Sequence, residues 1–444
     1  MPKQRGAAKR ALRVAAMAAG AGGSYLGYLA QSLFLDDERR VEKRKRAHRL
    51  AARRVSDEMG QLKGPLMKLG QALSLHTDVL PAEMLEELSR LQMRAPGMHP
   101  SLVRAQFRAA LGQDPEDLFA QFDAEPFAAA SLGQVHRARS RAGELLAVKI
   151  QYPGIREAIE GDFTWFRAAA LPARLSKHLP GHIIDELYEQ LLAETDYRRE
   201  AENLRRFAHA LRPLEFVDVP RVYPQLSGDK VLTMSLMNGQ HLEDFLATRP
   251  PQRLRDLVGG RLFELFYFQV LKMEAVHGDP HWGNYLFRPD GTIGLIDFGC
   301  VKYLPAAFVE NLRKVFLYPG RRDSEEFFHL MEERYKQKGT KLSKAGKAAL
   351  SRFSINFYGK VYPPDESQDA LPFDFGNRSF LASYMSEIAN LTQSKVALPE
   401  YVILARAELG LYQTLHRLRA RVTTSRIVRR YLERGQRTRL RDSR

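Results

Sequence analysis

The sequence predicts an α+β chain of two lobes, a small mixed one followed by a larger, mostly helical one. Three observations carry this. Residues 128–135 and 145–150 read as strand, turn, strand, with 219–223 and 230–234 as further short strands. From Leu242 onward, apolar residues recur at helical spacing over most of the chain. The apolar residues Ile293, Leu295 and Ile296 form one more strand, ending at Asp297.

The elements follow in order. Residues 36–63 are charged and lack proline, which suggests helix; Gly64-Pro65 interrupts it, and residues 66–75 continue as an apolar helix. Met84, Leu85, Leu88 and Leu91 set a helix over 82–92, and after Pro96, Gly97 and Pro100 another runs to about Leu111. Residues 183–211 read as one long amphipathic helix. Residues 361–377, with Pro363, Pro364 and Pro372, read as a surface loop. The expected domains are a basic segment 1–54, a helical extension 55–110, a first lobe 111–240, a second lobe 241–416 and a basic tail 417–444.

At 444 residues the chain has material for about two or three domains. Its 44% hydrophobic and 27% charged content is ordinary for a folded protein. Cys300 is the only cysteine, which excludes an internal disulfide framework and a cysteine-rich metal site. Its place after Asp297-Phe298-Gly299 admits a redox sensor or a small buried residue, and burial is the expectation.

The net charge of +16 is concentrated at the ends. Residues 1–54 hold fourteen Lys/Arg against four Asp/Glu, and 417–444 hold eleven against two. The interior is therefore slightly acidic. Basic ends suit an anionic membrane surface or nucleic acid, and equally a solvated helix face; the membrane surface is the expected partner, nucleic acid the weaker one. Between Arg13 and Asp36 lie twenty-two uncharged residues. That length can cross a bilayer, which takes roughly twenty residues. The segment is rich in Ala and Gly, with small residues at Ala19, Gly23 and Gly27, a spacing that allows close helix packing in a membrane or against a soluble partner. Peripheral or core packing is expected ahead of a spanning helix. The acid-free basic residues before it resemble an organellar presequence. The expected location is cytoplasmic with peripheral or single-anchor membrane association, organellar if the source is eukaryotic.

The chemistry is concentrated in His277-Gly278-Asp279-Pro280-His281-Trp282-Gly283-Asn284, followed thirteen residues after the asparagine by Asp297-Phe298-Gly299. Phosphoryl transfer needs a carboxylate near the attacking oxygen and oxygen ligands that hold magnesium across nucleotide phosphates. Asp279, Asn284 and Asp297 supply these groups. Either tripeptide alone is a weak signal; both, in order and correctly spaced, are a strong one. A helix or turn cap is the bland reading of Asp279 and Asn284.

Lys149 sits inside the apolar strand Val148-Lys149-Ile150, facing solvent or a pocket. Its position before the catalytic loop favours a pocket, where its ammonium would hold α/β phosphates with Glu200 as the orienting helix carboxylate. The segment expected to cover the phosphates runs through Ala128, Ala129, Ala130, Ser131, Leu132, Gly133, Gln134, Val135 and His136. Protein kinases place a glycine-rich loop there, so this alanine-rich one should be stiffer and less able to take positive φ. Small lobe, helical lobe and motif order together give a protein-kinase-like two-lobe fold with the nucleotide in the cleft.

The alanine-rich loop, Lys68-Leu69-Gly70-Gln71, Glu194-Thr195-Asp196-Tyr197, the 277–284 loop and Asp297-Phe298-Gly299 together resemble the UbiB family of atypical kinase-like proteins, also called the aarF-domain or ADCK family. The resemblance covers about residues 55–320. It implies a helical KxGQ extension before the kinase-like lobes, with Lys68, Gly70 and Gln71 folded over the cleft and Lys68 near Glu194 and Asp196. It further implies binding of ATP and Mg2+, exclusion of peptide substrates, and a role in isoprenoid-quinone or other membrane lipid metabolism with quinone-biosynthesis proteins as partners. The sequence departs from the family at two positions. Trp282 stands where a second proline is usual, and Ser235 replaces an acidic residue before Leu236 and Met237, whose backbone groups would meet adenine. Two functions compete, an ATPase or kinase acting on a lipid or small molecule and a nucleotide-gated lipid-binding scaffold. The oligomeric state is left open.

Overall fold

The computed structural model describes residues 97–432 except 131, 170–180, 280, 317, 319–320, 337–341, 364 and 395–398. Lys68, Gly70, Gln71, Ser131, the uncharged segment 14–35 and the basic run 39–54 lie outside the described residues. The described chain falls into two compact units, 97–199 with 222–236, and 200–221 with 237–432.

The first unit is built on a five-stranded antiparallel sheet. Helix α1 (Pro100–Leu111) opens it, started by His99, whose ring nitrogen accepts from the Ser101 N–H, and by Pro100 in the first turn. It stops at Gly112, which adopts φ +74. After a one-turn helix α2 (Pro115–Leu118) come β1 (Gln121–Phe122), β2 (Ala128–Ala130), β3 (Gly133–Arg139) and β4 (Leu145–Gln151). β6 (Val231–Ser235) completes the sheet in the order β1-β3-β4-β6, with β2 paired to β3. β4 is central, and its Leu146, Val148 and Ile150 are wholly buried. Each such side chain contributes roughly 1.5–3 kcal/mol of burial. Phe107 of α1 meets Phe119 and Phe122 edge-on, at 6.0 and 5.5 Å between centroids.

The helix expected over 183–211 is two helices, α4 (Gly181–Glu194) and α5 (Tyr197–Ala210), preceded by α3 (Ile155–Ala169). The break follows from Thr195 and Asp196. The Thr195 hydroxyl donates to Leu192 O at 2.7 Å, ending α4, and the Asp196 carboxylate accepts from the Arg199 N–H at 3.0 Å, starting α5. Short polar side chains that compete for backbone groups favour helix ends for this reason.

The second unit is mostly helical, as the sequence predicts. It includes β5 (Val217–Asp218), α6 (Leu242–Ala247), α7 (Gln252–Leu271), β7 (Ala275–His277), β8 (Tyr285–Phe287), β9 (Ile293–Leu295) and β10 (Val301–Tyr303). α8 (Ala306–Phe316), α9 (Glu325–Lys336), α10 (Lys344–Phe353), a π turn at Ser354–Tyr358 and α11 (Gly359–Val361) follow. The rest is β11 (Phe373–Asp374), α12 (Arg378–Gln393), α13 (Pro399–Leu418), β12 (Arg421–Val422) and α14 (Thr424–Leu432). The C-terminal half of α7 is buried almost all round, from Leu262 to Leu271, the pattern of a central core helix.

The loop read over 361–377 and the basic tail read from 417 both contain folded elements. Within 361–377, Val361, Tyr362 and Phe375 are buried, and β11 pairs with β12 in the stretch read as a basic tail. α14 then lays Ile427, Val428, Tyr431 and Leu432 inward and packs on α7. Arginines dominate the count there, but they alternate with an apolar stripe that folds. Among the described residues, no helix is long and apolar enough to cross a membrane.

Candidate functional site

Lys149 lies on β4, paired across the sheet with Val135 and Leu232. It is 7% exposed, so its side chain does not face solvent, and its ammonium sits 5.2 Å from the centre of the Tyr197 ring. A cation over an aromatic face keeps part of the stabilisation it loses on leaving water. Gln151 at the end of β4 is held on two sides: its Nε2 donates to Thr195 O at 2.8 Å in the Glu194-Thr195-Asp196 junction, and its O accepts from Gln106 of α1 at 2.9 Å. Glu194 is buried, and Asp196 is an exposed helix cap. Glu200 is 1% exposed, in the first turn of α5.

The alanines form a strand. Ala128, Ala129 and Ala130 pair with Val135, Gln134 and Gly133, and the Phe127 N–H donates to Val135 O at 3.0 Å. Gly133 is required by close approach, because a β-carbon there would lie 2.2 Å from Ile150 O. The buried side chains of Gln134 and His136 turn to structural work. Gln134 Oε1 accepts from the Met98 N–H at 2.7 Å, its Nε2 lies 2.6 Å from His136 Nε2, and His136 Nδ1 lies 2.8 Å from Asp123 O. Burial holds the His136 pKa below its ordinary value, so the ring stays neutral. In that tautomer Nδ1 donates to Asp123 and Nε2 accepts from Gln134. At the end of β6, Ser235 pairs with Leu146, and the Leu236 N–H donates to Leu145 O at 3.0 Å.

In the second unit the 277–284 loop and the Asp297 turn are held together through main-chain groups. β7 pairs with β10, His277 opposite Val301, which brings the ends of the two motifs side by side. Gly278 fits against Cys300: its N–H donates to Cys300 O at 2.7 Å, and a β-carbon would lie 2.7 Å from Cys300 Sγ. Cys300 is 4% exposed, as expected of a small buried residue. The His277 ring bridges the motifs, with Nδ1 2.9 Å from Asp279 O and Nε2 2.5 Å from Asp297 O. The His277 main-chain N–H donates to Gln269 Oε1 at 3.1 Å. Asn284 Nδ2 donates to Asp279 O at 3.2 Å, and the Ile296 N–H donates to Asn284 O at 3.1 Å. Asp297 Oδ1 accepts from the Gly299 N–H at 2.9 Å.

Phe298 is wholly buried, edge-on to Phe207 of α5 at 5.2 Å and to His277 at 6.0 Å. Asn203 Nδ2 donates to Phe298 O at 3.1 Å and its Oδ1 accepts from the Tyr303 hydroxyl at 3.1 Å. Burial, and next the charge of Asp279, raises the pKa of the Tyr285 phenol, which remains protonated beside the loop. Among the described residues no group of three or more His, Cys, Asp or Glu side chains could hold a metal. Asn284, whose bond to Asp279 O leaves the amide oxygen as its acceptor, and Asp297 are oxygen donors that would suit a magnesium ion completed by other oxygen ligands.

Sequence reasoning missed three residues. Asn203 lies three positions after Glu200 on the same helix, a polar residue at an inward spacing. Gln269 interrupts the apolar half of α7 and is 2% exposed. Arg417 carries no local signal; its guanidinium lies 4.9 Å from the Trp282 ring centre.

An antiparallel sheet with a buried central lysine, followed by a helical unit with the Asp279, Asn284 and Asp297 turns, defines a kinase-like protein of the α+β class. The model of the ABC1 atypical kinase-like domain matches residues 90–331. The chain therefore belongs to the ABC1 atypical kinase-like family, the UbiB family of the sequence reading. It is 33% identical over 291 residues to the chloroplastic protein Activity of BC1 Complex Kinase 7 of Arabidopsis thaliana, covering 64% of this chain and 42% of that one. It is 30% identical over 284 residues to the mitochondrial atypical kinase COQ8 of Saccharomyces cerevisiae, covering 62% and 56%. The solved structure of Rv3197 from Mycobacterium tuberculosis, in complex with erythromycin, matches at 29% identity with a TM-score of 0.58, covering 83% of this chain and 92% of that one. The chain spans about half or less of the length of the first two curated relatives.

Proposed function

We propose that this chain is a Mg2+-dependent ATP-binding protein that transfers the γ-phosphoryl group to water or to a small or lipid-linked acceptor, in support of isoprenoid-quinone or other membrane lipid metabolism. The observation that carries the reading is the tie from His277 to the main chains of both Asp279 and Asp297, with Asn284 bonded to Asp279 O. That tie presets the groups phosphoryl transfer uses, and preset electrostatics is the larger part of such catalysis. Asp279 orients the attacking hydroxyl or water and accepts its proton. Asn284 and Asp297 ligate magnesium. Lys149 holds nucleotide phosphates and Glu200 orients it, while main-chain groups of 128–136 cover the phosphates and those of Ser235 and Met237 meet adenine. Lys68, Gly70 and Gln71, with Glu194 and Asp196, serve to exclude peptide substrates, as the family resemblance implies. The basic ends bring the chain to anionic lipid.

A second reading, a nucleotide-gated lipid-binding scaffold, is favoured by one observation. The alanine segment is a hydrogen-bonded strand, which gives up the backbone freedom a glycine loop supplies. Turnover of ATP with anionic liposomes, measured for the full chain and for Asp297→Asn, separates the two. The catalytic reading expects turnover that Asp297→Asn abolishes. Equal inactivity of two folded proteins, with ATP still raising the melting temperature, would establish the scaffold instead.

A further inference from the structure

Trp282 is the first residue of a three-residue 3-10 turn, Trp282–Asn284, that carries one of the two proposed magnesium ligands. Such turns have poor hydrogen-bond geometry and hold themselves weakly. This one contains Gly283, the residue type that loses most freedom when fixed. Two main-chain bonds close it, from the Asn284 N–H to His281 O at 3.1 Å and from the Tyr285 N–H to Trp282 O. The turn must nonetheless keep the Asn284 amide on Asp279 O. Its support comes from side chains. The Trp282 ring stacks on His281, with centroids 4.8 Å apart and planes at 26°. The Arg417 guanidinium lies over Trp282, 4.9 Å from the centroid. Arg417 belongs to the last turn of α13 and is ion-paired with Glu243 in the first turn of α6. Those partners are 40% and 57% exposed, so their pairing alone holds little. A planar guanidinium on an indole face is the stronger contact.

We infer that Arg417 is a positioning residue for the catalytic loop. By clamping Trp282 across 135 residues of sequence, it does through a tertiary contact what a proline at 282 would do by fixing φ. The backbone is already suited to that proline, since position 282 is the first of its turn and His281 before it is extended, at φ −68 and ψ 131. The effect on nucleotide rests on the ATP reading above; the clamp itself does not.

The test uses the full chain. Trp165 and Trp282 are its only tryptophans, so Trp165→Phe leaves Trp282 as the sole fluorescent reporter. In that background Arg417→Ala is expected to shift emission to the red and raise acrylamide quenching, with Arg417→Lys between it and the parent. In the second arm, MgATP affinity is measured for Arg417→Ala with Trp282 present and in a Trp282→Pro background. The expected loss is about two- to fivefold with Trp282 present, the scale of one partly exposed cation–π contact, and none after Trp282→Pro. Unchanged Trp282 quenching, or equal losses in both backgrounds, overturns the inference. If the parent chain binds no MgATP, the ATP reading fails, and the quenching arm alone decides the clamp.

Discussion

Glu408 on α13 is 2% exposed, inside a cage of tyrosines in the helical unit. The Tyr267 hydroxyl donates to its Oε1 and the Tyr384 hydroxyl to its Oε2, each at 3.1 Å. Tyr362 bonds to Tyr267 and, at 2.8 Å, to Tyr412. Burial pushes the Glu408 pKa from 4.5 up to about 7, and the two hydroxyls offset only part of that rise. The sign follows directly. Between pH 4.5 and 7 the folded protein keeps a proton that the unfolded chain has released, so stability falls as pH rises. The contribution is fully present below pH 4.5 and lost once pH passes about 7. A shift of this size corresponds to about 3 kcal/mol. Glu408→Gln keeps the volume and removes the titration, and Tyr384 can still donate to Ala405 O at 3.2 Å. Urea unfolding followed by far-ultraviolet circular dichroism from pH 4.5 to 8 checks this. Wild type is expected to lose about 3 kcal/mol relative to Glu408→Gln across the window, with the variant the more stable above pH 7. A difference that stays flat with pH would refute the reasoning.

Three further outcomes are expected. Gly133→Ala places a β-carbon 2.2 Å from Ile150 O, which neither strand can yield, and should cost about 3 kcal/mol or more, read as a lower melting temperature. Gly278→Ala meets Cys300 Sγ at 2.7 Å and should cost about 1–3 kcal/mol; adding Cys300→Ala should recover most of that in a double-mutant cycle, whereas additivity would mean that the sulfur is not the obstacle. Asn203→Leu removes the donor to Phe298 O and the acceptor for Tyr303, and should destabilise by about 1–3 kcal/mol with a matching fall in denaturation midpoint.

The sequence by itself determined the elements whose information is local. A continuous apolar run around Lys149 defines β4, buried from Leu146 to Gln151, and the chemical types at 277–284 and 297–299 mark two turns. The family followed from the same motifs, because their order and spacing survive without any knowledge of contacts. Polar residues at 195 and 196 carried the signal for a helix break, but amphipathic spacing on both sides of them masked it. The basic tail was misread for a related reason: charge is counted along the chain, whereas α14 is decided by which of its faces meets α7. Tertiary structure alone decided that Asn203 holds Phe298, that His277 joins two main chains, and that Arg417 rests on Trp282. It also decided that Glu408 sits among tyrosines contributed by three other segments. Asn203 and Phe298 lie 95 residues apart and Arg417 and Trp282 135, so no local pattern joins them; for the buried partners, the free energy that joins them depends on burial having removed water from between them.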